Sequence, residues 1–248
     1  MRIIPSLQLL NGSLVKTRQY KNHVYIGDPV NTCRIFNELE IDELSIIDIR
    51  ATIEGYSISW DILKDISSEC FIPLSYGGGL NSLSAVENIL ALGYEKVILN
   101  TALFEDPCFV KEAVERFGSQ SIIGAIDVRK KRSQYIPYIR SGTYKIPTTL
   151  SKYIYEIEHL GVGEILLTDI TNEGTWNGID ISLIKSVENL VTVPIIIRGG
   201  FNSIEDINRA FKHNIDAIAL GNMVVFQKKD CGVLINFPKK ENISRNEI

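Results

Sequence analysis

The chain has 248 residues, of which 45% are hydrophobic and 23% are charged, and its formal net charge at neutral pH is −4. This composition is typical of an ordinary globular protein, and the charge gives no general attraction to nucleic acid or to anionic membranes. No apolar run approaches the ~18 residues of a membrane span, and the first residues lack the apolar stretch of a signal peptide. We expect a cytoplasmic protein that binds neither nucleic acid nor membrane.

The cysteines and histidines do not form a recognisable reactive or metal-binding pattern. The four cysteines are widely spaced, contain no C-x-x-C pair and lie in or beside apolar segments, so we expect buried free thiols at Cys33, Cys70, Cys108 and Cys231. The histidines are scattered at His23, His159 and His213. We therefore expect neither a zinc site nor a Cys-His nucleophile pair, and no metal or cofactor.

Short β-rich runs alternate with helical patterns along the whole chain. The predicted strands are residues 2–8, 43–49, 71–76, 96–100, 121–127, 164–170, 193–198 and 216–221. The helices between them carry their own start and stop signals, which are Asp28-Pro29, Ser82, Asp106-Pro107 and Ser203 at the starts and Gly93 and Gly118 at the ends. Eight such units in about 250 residues predict a (β/α)8 TIM barrel; a doubly wound open sheet is the alternative.

The sequence repeats internally at one constant offset. DELSIIDI (42–49) aligns with GEILLTDI (163–170), and IPLSYGGGLNSL (72–83) aligns with VPIIIRGGFNSI (193–204). YEKVILNT (94–101) aligns with IDAIALGN (215–222) without a gap, so all three blocks share an offset of 121 residues. The repeat predicts one barrel domain built from two duplicated (β/α)4 halves, approximately 1–120 and 121–228, followed by a tail at 229–248.

The strand ends should meet at the mouth of this barrel, where barrels of this class place their binding sites. The predicted mouth residues are Gln8, Asp48, Gly77, Gly78, Gly79, Asn100, Thr101, Asp127, Asp169, Gly199, Gly200, Gly221 and Asn222. The two glycine turns each lead into a helix, an arrangement that favours phosphate, although such glycines can also serve only to turn tight corners. Two sites related by the repeat suit a small molecule phosphorylated at both ends.

One strand-end residue is a strong candidate for acid–base chemistry. Asp127 follows an apolar run, where a carboxylate is costly unless it has a role. Its repeat mate is Gln8, which can hold a ligand but cannot exchange a proton. The loop after the first strand carries Lys16, Arg18 and Lys21, which could reach an anionic ligand if the loop folds over the mouth.

These features together resemble the HisF family, the cyclase subunit of imidazole glycerol phosphate synthase. The resemblance covers residues 1 to about 228 and is carried by GDPV, DELSIIDI, IPLSYGGG, KVILNTA, FGSQ, AIDVRKKR, GEILLTDI, EGT and VPIIIRGG. It implies a partner glutaminase (HisH-like) that supplies ammonia through the barrel core, and a phosphorylated substrate at the mouth. The matching positions for the family's ammonia gate are Arg2, Glu43, Lys96 and Glu164.

The match is incomplete at the catalytic rim. Asp127 and Lys16 match family positions, but Gln8 stands where the family has its other catalytic aspartate. Gly174 and Thr175 match the family's RDGT-like turn. Further departures are Arg50 for a threonine, Glu173 for an aspartate in that turn, Arg198 for a small residue, and a tail without the family's last amphipathic helix.

Three functions follow as expectations. The first resembles HisF-like paralogues of surface-polysaccharide pathways, in which the barrel and a glutaminase supply ammonia for sugar amidation through a separate synthetase. The second is an authentic histidine-pathway cyclase, a lyase that tolerates Gln8. The third is a catalytically inert scaffold that only activates a glutaminase.

Overall fold

A computed structural model describes residues 2–55, 57–229, 231–239, 241 and 243 of the chain. Its strands are β1 (Arg2–Leu10), β2 (Ser13–Arg18), β3 (Lys21–Gly27), β4 (Leu44–Asp48), β5 (Leu74–Gly77), β6 (Lys96–Leu99), β7 (Ile122–Lys131), β8 (Gln134–Ile139), β9 (Tyr144–Lys145), β10 (Glu164–Asp169), β11 (Ile195–Arg198) and β12 (Ala217–Leu220). Its α-helices are α1 (Pro29–Glu38), α2 (Ala51–Glu54), α3 (Trp60–Glu69), α4 (Leu83–Ala91), α5 (Thr101–Glu105), α6 (Pro107–Phe117), α7 (Leu150–Glu158), α8 (Ile181–Val187), α9 (Ile204–Ala210) and α10 (Asn222–Val225).

Eight of the strands close into a parallel barrel. The order around it is β1, β4, β5, β6, β7, β10, β11 and β12, and β12 pairs in parallel with β1 again. Each half of the chain supplies four consecutive strands. The (β/α)8 barrel made of two duplicated halves is thus confirmed, and an open sheet is excluded because both edges of the sheet are paired.

Local capping explains where the helices begin and end. Asp28 accepts a hydrogen bond from the Asn31 amide at 2.8 Å at the start of α1, and Asp106 does the same for α6. Ser82 and Ser203 cap α4 and α9 in the same way, and α6 ends at Gly118, whose φ is +86°. The predicted start and stop signals are confirmed because each group satisfies a backbone group that the helix leaves free.

The core has two layers. The larger lies between the strands and the surrounding helices, and a smaller one fills the barrel itself, formed by Ile4, Ile98, Ile123, Ala125, Leu166, Ile196, Ala217 and Ala219. Because side chains alternate along a strand, residues two positions further on also face the barrel axis, nearer the mouth. This periodicity brings Asn100, Asp127, Thr168 and Arg198 to the axis at the level where the strands end.

Two β-extensions rise from the barrel, one in each half. The segment after β1, expected as a loop, is instead the antiparallel hairpin of β2 and β3, because Leu14 and Val15 are buried and their backbone pairs with the extended end of β1. In the second half β7 runs on to Lys131 and pairs with β8. Both extensions stand at the mouth, where they can cover a ligand.

The four cysteines are free thiols that divide into a buried pair and an exposed pair. Cys33 and Cys70 are buried free thiols, but Cys108 and Cys231 are exposed, so the burial predicted for those two is wrong. Cys108 lies on the outer face of α6, and Cys231 lies in the tail, where no core covers it.

The tail forms no α-helix in its described part after Val225, and Ile235 and Phe237 pack against the core. Residues 230, 240, 242 and 244–248 of the predicted tail lie outside the described residues. In the part of the chain that is described, no helix is both long and apolar enough to cross a bilayer.

Candidate functional site at the barrel mouth and floor

Four charged side chains close a ring at the floor of the barrel. Arg2 donates to Glu43 and to Glu164, each at 3.0 Å. Lys96 donates to the same two carboxylates, at 3.3 Å to Glu43 and 2.9 Å to Glu164. Both bases therefore bridge both acids. Burial raises the pKa of Glu43, while the charges of Lys96 and Arg2 oppose that rise.

A narrow cavity lies directly above this ring, inside the barrel. Its lining includes Glu43, Ser45 and Ser75 among the apolar side chains of the inner core. Within the described residues, the buried hydroxyls of Ser45 and Ser75 have no hydrogen-bond partner, and the same holds for Ser6 closer to the mouth. Buried hydroxyls normally find partners. The barrel core thus offers small polar contacts from floor to mouth to a molecule that could enter it.

The mouth contains a large cavity of about 390 Å³ on the side of the first glycine turn. Eight of the residues predicted from the sequence line this cavity, and they are Asp48, Gly77, Gly78, Gly79, Asn100, Thr101, Asp127 and Arg198. The lining also includes Tyr20, Arg140 and Ser141, which the sequence did not single out. This volume accommodates a small metabolite.

The second glycine turn faces a much smaller pocket, of about 20 Å³. The predicted residues brought together there are Lys16, Gly174, Arg198, Gly199, Gly200, Gly221 and Asn222, with Glu173 beside them. Such a space suffices for about one water molecule. The two glycine turns therefore occupy equivalent places in the barrel but offer a ligand very different amounts of room.

Asp127 is the acid–base candidate of the large cavity. Its carboxylate is buried and accepts a hydrogen bond of 2.8 Å from the hydroxyl of Tyr20. Burial raises the pKa of Asp127 to about 6, although the Tyr20 hydrogen bond and the Arg198 charge oppose the rise. A carboxyl group that titrates this close to neutral pH can both accept and return a proton.

Gln8, in contrast, is fully buried and lines neither cavity. Its amide nitrogen donates to Thr17 at 3.0 Å and to Glu173 at 3.2 Å, and its oxygen accepts from the Thr17 backbone amide at 3.1 Å. Glu173 also accepts from the Tyr20 amide at 3.1 Å. The Gln8 side chain thus holds the β2–β3 hairpin over the mouth, with its own polar atoms already used.

The three cations of the hairpin have separate environments. Lys16 is buried and its amine donates to the Ser6 carbonyl at 2.6 Å. Burial, together with the positive charge of Arg198, lowers the pKa of Lys16 to about 7, and Glu173 opposes this. Arg18 and Lys21 are exposed at the hairpin tip, where the strand register shifts between Lys16 and Arg18, and they line neither cavity.

Asp48 and Asp169 are repeat mates that stabilise equivalent turns. Asp48 accepts from the amides of Arg50 and Ala51, and Asp169 accepts from the Thr171 amide at 2.9 Å and from Asn172 at 2.7 Å. Burial raises the pKa of Asp169, against the effect of these hydrogen bonds. Both carboxylates therefore shape the rim through the loops that they cap.

One glycine of each turn, Gly78 or its repeat mate Gly199, is required by the backbone itself. Gly78 has a φ of +127°, and a Cβ there would lie 2.6 Å from the Asp48 carbonyl oxygen. Gly199 has a φ of +103°, and its Cβ would lie 2.5 Å from the Asp169 carbonyl oxygen. Both glycines therefore allow a tight turn that a larger residue would not. Gly78 also lines the large cavity, and Gly199 also lines the small pocket.

The Glu173-Gly174-Thr175 turn packs against the hairpin. A side chain at Gly174 would overlap the Thr17 carbonyl, and the Gly174 carbonyl accepts from Asn222 at 3.3 Å. The Thr175 hydroxyl donates to the Asn172 carbonyl at 2.9 Å. Thr175 is therefore occupied within its own turn, and Gly174 allows the hairpin to approach.

Tyr20 and Arg140 were missed because their roles depend on contacts between distant elements. Arg140 lies in an Arg-Ser-Gly turn, whose composition signals a turn but not its contact with the mouth. The turn is fixed there by a hydrogen bond of 2.7 Å from the Ser141 hydroxyl to the Ile49 carbonyl, and Arg140 forms an ion pair with Glu105. Across the described residues no cluster of three metal-ligating side chains occurs.

Comparison with known proteins places this architecture in a family. The family described as "Histidine biosynthesis protein" matches residues 2–230. A Pseudomonas aeruginosa protein, provisionally named imidazole glycerol phosphate synthase subunit hisF2, is 38% identical over 239 residues, which are 96% of this chain and 95% of that protein. A similarly named hisF2 of Campylobacter jejuni is 39% identical over 228 residues, covering 92% of this chain and 90% of that protein.

A relative without the provisional name supports the same assignment. The imidazole glycerol phosphate synthase subunit HisF of Sulfurisphaera tokodaii is 40% identical over 220 residues, which are 89% of this chain and 88% of that protein. Identity at this level over nearly the whole length agrees with the duplicated barrel and the paired glycine turns. The chain belongs to the histidine biosynthesis protein family and, within it, to the HisF type of imidazole glycerol phosphate synthase subunit.

Proposed function

We propose that this chain is a synthase subunit that receives ammonia from a partner glutaminase through the barrel core and delivers it at the mouth. The single observation that carries the proposal is the floor of the barrel. Four ring charges pair among themselves at distances of 2.9 to 3.3 Å, and the cavity above them contains unpartnered hydroxyls. A small neutral molecule that forms hydrogen bonds suits such a path.

The mouth favours an acceptor other than the one used by an authentic cyclase. Gln8 supplies no proton donor or acceptor that titrates, and its amide is occupied by Thr17 and Glu173. Losing one of two acid–base groups costs typically 10²- to 10⁴-fold in rate. We therefore infer amidation of a surface-polysaccharide sugar as the use of the ammonia, in the cytoplasm and together with a separate synthetase.

The authentic cyclase, a lyase, is the second candidate. It is favoured by Asp127, with its pKa of about 6, in a cavity that also contains the first glycine turn. An inert scaffold is the third candidate, and it predicts that an Asp127→Asn variant keeps full function.

Genetic complementation separates the first two functions. We expect that the gene does not restore growth of a cyclase-deficient histidine auxotroph without histidine. We also expect that its deletion lowers the amide content of the surface polysaccharide, measured by mass spectrometry of the purified polymer. Growth of the auxotroph would contradict the proposal.

The ammonia path is tested in the same deletion strain. Lys96→Met breaks the ring and should lower the amide content, and a high concentration of ammonium chloride in the medium should restore it. The matched control is Lys152→Met, which removes an exposed lysine from α7 and should behave as the wild type. If Lys96→Met had full function at low ammonium, the path through the ring would be wrong. Co-purification of a glutaminase with the tagged chain tests the partner directly.

A further inference from the structure

Arg198 is a buried cation at the barrel axis of the mouth that makes no hydrogen bond or ion pair with its side chain in the described part of the protein. It follows Ile196 of the inner core by two residues in β11, so its side chain points to the barrel axis. It is only 4% exposed, and it lines both the large cavity and the small pocket. Its guanidinium lies over the ring of Tyr20, and its N–H groups face the two cavities.

The acids around Arg198 are already occupied. Asp127 accepts the hydroxyl of Tyr20, and Glu173 accepts hydrogen bonds from Gln8, Thr17 and the Tyr20 amide. The Tyr20 ring lies between these groups, with its centroid 5.9 Å from the Arg198 guanidinium carbon. A buried guanidinium presents five donors, and leaving it without an acceptor is costly. An anionic ligand in the large cavity would supply that acceptor.

The internal repeat explains why the two sides of the mouth differ. Arg198 aligns with Gly77, at the same place in the two halves. The space in front of the first turn is open, at about 390 Å³, whereas the corresponding space is about 20 Å³ and is lined by Arg198 together with Lys16 and Trp176. A phosphate group does not fit a space for one water molecule, so the second turn is closed to the far end of a long ligand.

We propose that Arg198 turns the mouth into a single-ended site: the substrate lies wholly within the large cavity and places one oxyanion, a phosphate or a carboxylate, against the Arg198 guanidinium at the barrel axis. This inference rests on the proposed function in that it describes the ammonia acceptor bound at the mouth. Planar guanidinium groups bind both kinds of oxyanion through two parallel hydrogen bonds. Asp127 then faces the same bound group from the neighbouring wall.

The first test measures binding of small oxyanions to the isolated full-length chain by isothermal titration calorimetry. Inorganic phosphate and sodium acetate are the probes, and whichever binds more tightly identifies the kind of oxyanion. Arg198→Gln should weaken that binding at least about tenfold, and Arg198→Lys should weaken it less because the charge remains. Arg34→Gln, which removes an exposed arginine from α1, is the matched control and should bind as the wild type.

Unchanged binding in a folded Arg198→Gln variant would overturn the assignment of Arg198, and so would the absence of binding of either probe to the wild type. Circular dichroism establishes whether each variant is folded. If Arg198→Gln does not fold, the oxyanion affinity of Arg198→Lys is compared with that of the wild type instead.

The second test compares the affinities of the wild-type chain for ligands with one and with two phosphate groups, and this comparison is decisive without a variant. A five-carbon diol phosphorylated at both ends should bind the wild type no more tightly than the same diol phosphorylated at one end. Arg198→Ser, which restores a small residue, should open the second turn and favour the doubly phosphorylated ligand. A preference of about tenfold or more of the wild type for the doubly phosphorylated ligand would contradict a single-ended site.

These measurements are independent of ammonia transfer. Lys96→Met should bind oxyanions normally even if it abolishes function in the cell, and Arg198→Gln should lose them while the ring stays intact. Failure of the ammonia path and failure of the single-ended site therefore give different results.

Discussion

The two glycine turns of the mouth have nearly the same backbone and different surroundings. Gly78 and Gly199 both have positive φ and both lie against the carbonyl of an aspartate at the end of the preceding strand. The side chains in front of them differ, since Gly77 lines an open space before one turn and Arg198 lines a small pocket before the other. Duplication thus fixed the backbone of both sites, while single side-chain changes decided which of them can hold a ligand.

The same contrast holds for Asp127 and Gln8, which lie in the first strand of each half. Asp127 faces the open cavity and titrates near pH 6, whereas Gln8 is buried beneath the hairpin and does not titrate. The second half therefore supplies the acid of a cavity whose glycine turn belongs to the first half, and the first half supplies a hydrogen-bonded support for the hairpin.

The largest expected effect tests the equivalence of the two backbones. Gly78→Ala and Gly199→Ala should each lower the free energy of unfolding by about 3 kcal/mol, because both introduce a left-handed alanine and a clash with a carbonyl oxygen. Urea denaturation followed by circular dichroism measures both losses. A difference of more than about 1 kcal/mol between the two variants would show that the turns are not structurally equivalent.

A second prediction concerns the pH dependence contributed by Asp127. Its pKa in the folded state is raised from 3.8 to about 6, so the folded protein binds more protons than the unfolded chain between these values. The group therefore favours folding at low pH, and stability should fall as the pH rises from about 4 to 6, by at most about 3 kcal/mol. Asp127→Asn should remove this decline in urea denaturation curves recorded across that range. A decline that persists in the variant would have to come from another group.

Restoring an acid at Gln8 should destabilise the chain rather than recover chemistry. The Gln8 amide nitrogen lies 3.2 Å from a Glu173 oxygen, so Gln8→Asp would face one carboxylate with another. We expect a loss of about 2 kcal/mol above pH 6, from the like charges and the lost donor. Adding Glu173→Gln should recover most of this loss in a double-mutant cycle. Additive losses would contradict a direct Gln8–Glu173 interaction.

The smallest effect is expected for Tyr20→Phe, which removes the hydroxyl that Asp127 accepts but keeps the ring beside Arg198. Stability should fall by about 1 kcal/mol, the usual contribution of one hydrogen bond. Because that hydrogen bond also lowers the pKa of Asp127, the pH-dependent decline should shift to higher pH. A shift to lower pH would show that the hydroxyl stabilises the protonated acid instead.

Several features followed directly from the sequence because their causes are local or repeated. Strand and helix periodicity, the caps at Asp28 and Asp106, and the offset of 121 residues were enough to predict a duplicated barrel. Most of the mouth residues followed from the barrel, since parallel strands bring their ends together at one end. The four ring charges were identified through the resemblance to the HisF family.

The tertiary structure alone decided how these residues share the mouth. The sequence could not show that the β2–β3 hairpin folds over the mouth. It also could not show that Gln8 donates to Glu173 beneath the hairpin or that the Tyr20 hydroxyl donates to Asp127, because these hydrogen bonds join residues far apart in the chain. The sequence identified Arg198 as a departure from the small residue of the HisF family. It did not show that the Arg198 guanidinium faces two cavities and forms no hydrogen bond or ion pair in the described chain. Alternation along a strand fixes which way a side chain points, but only packing across the barrel fixes what it meets there.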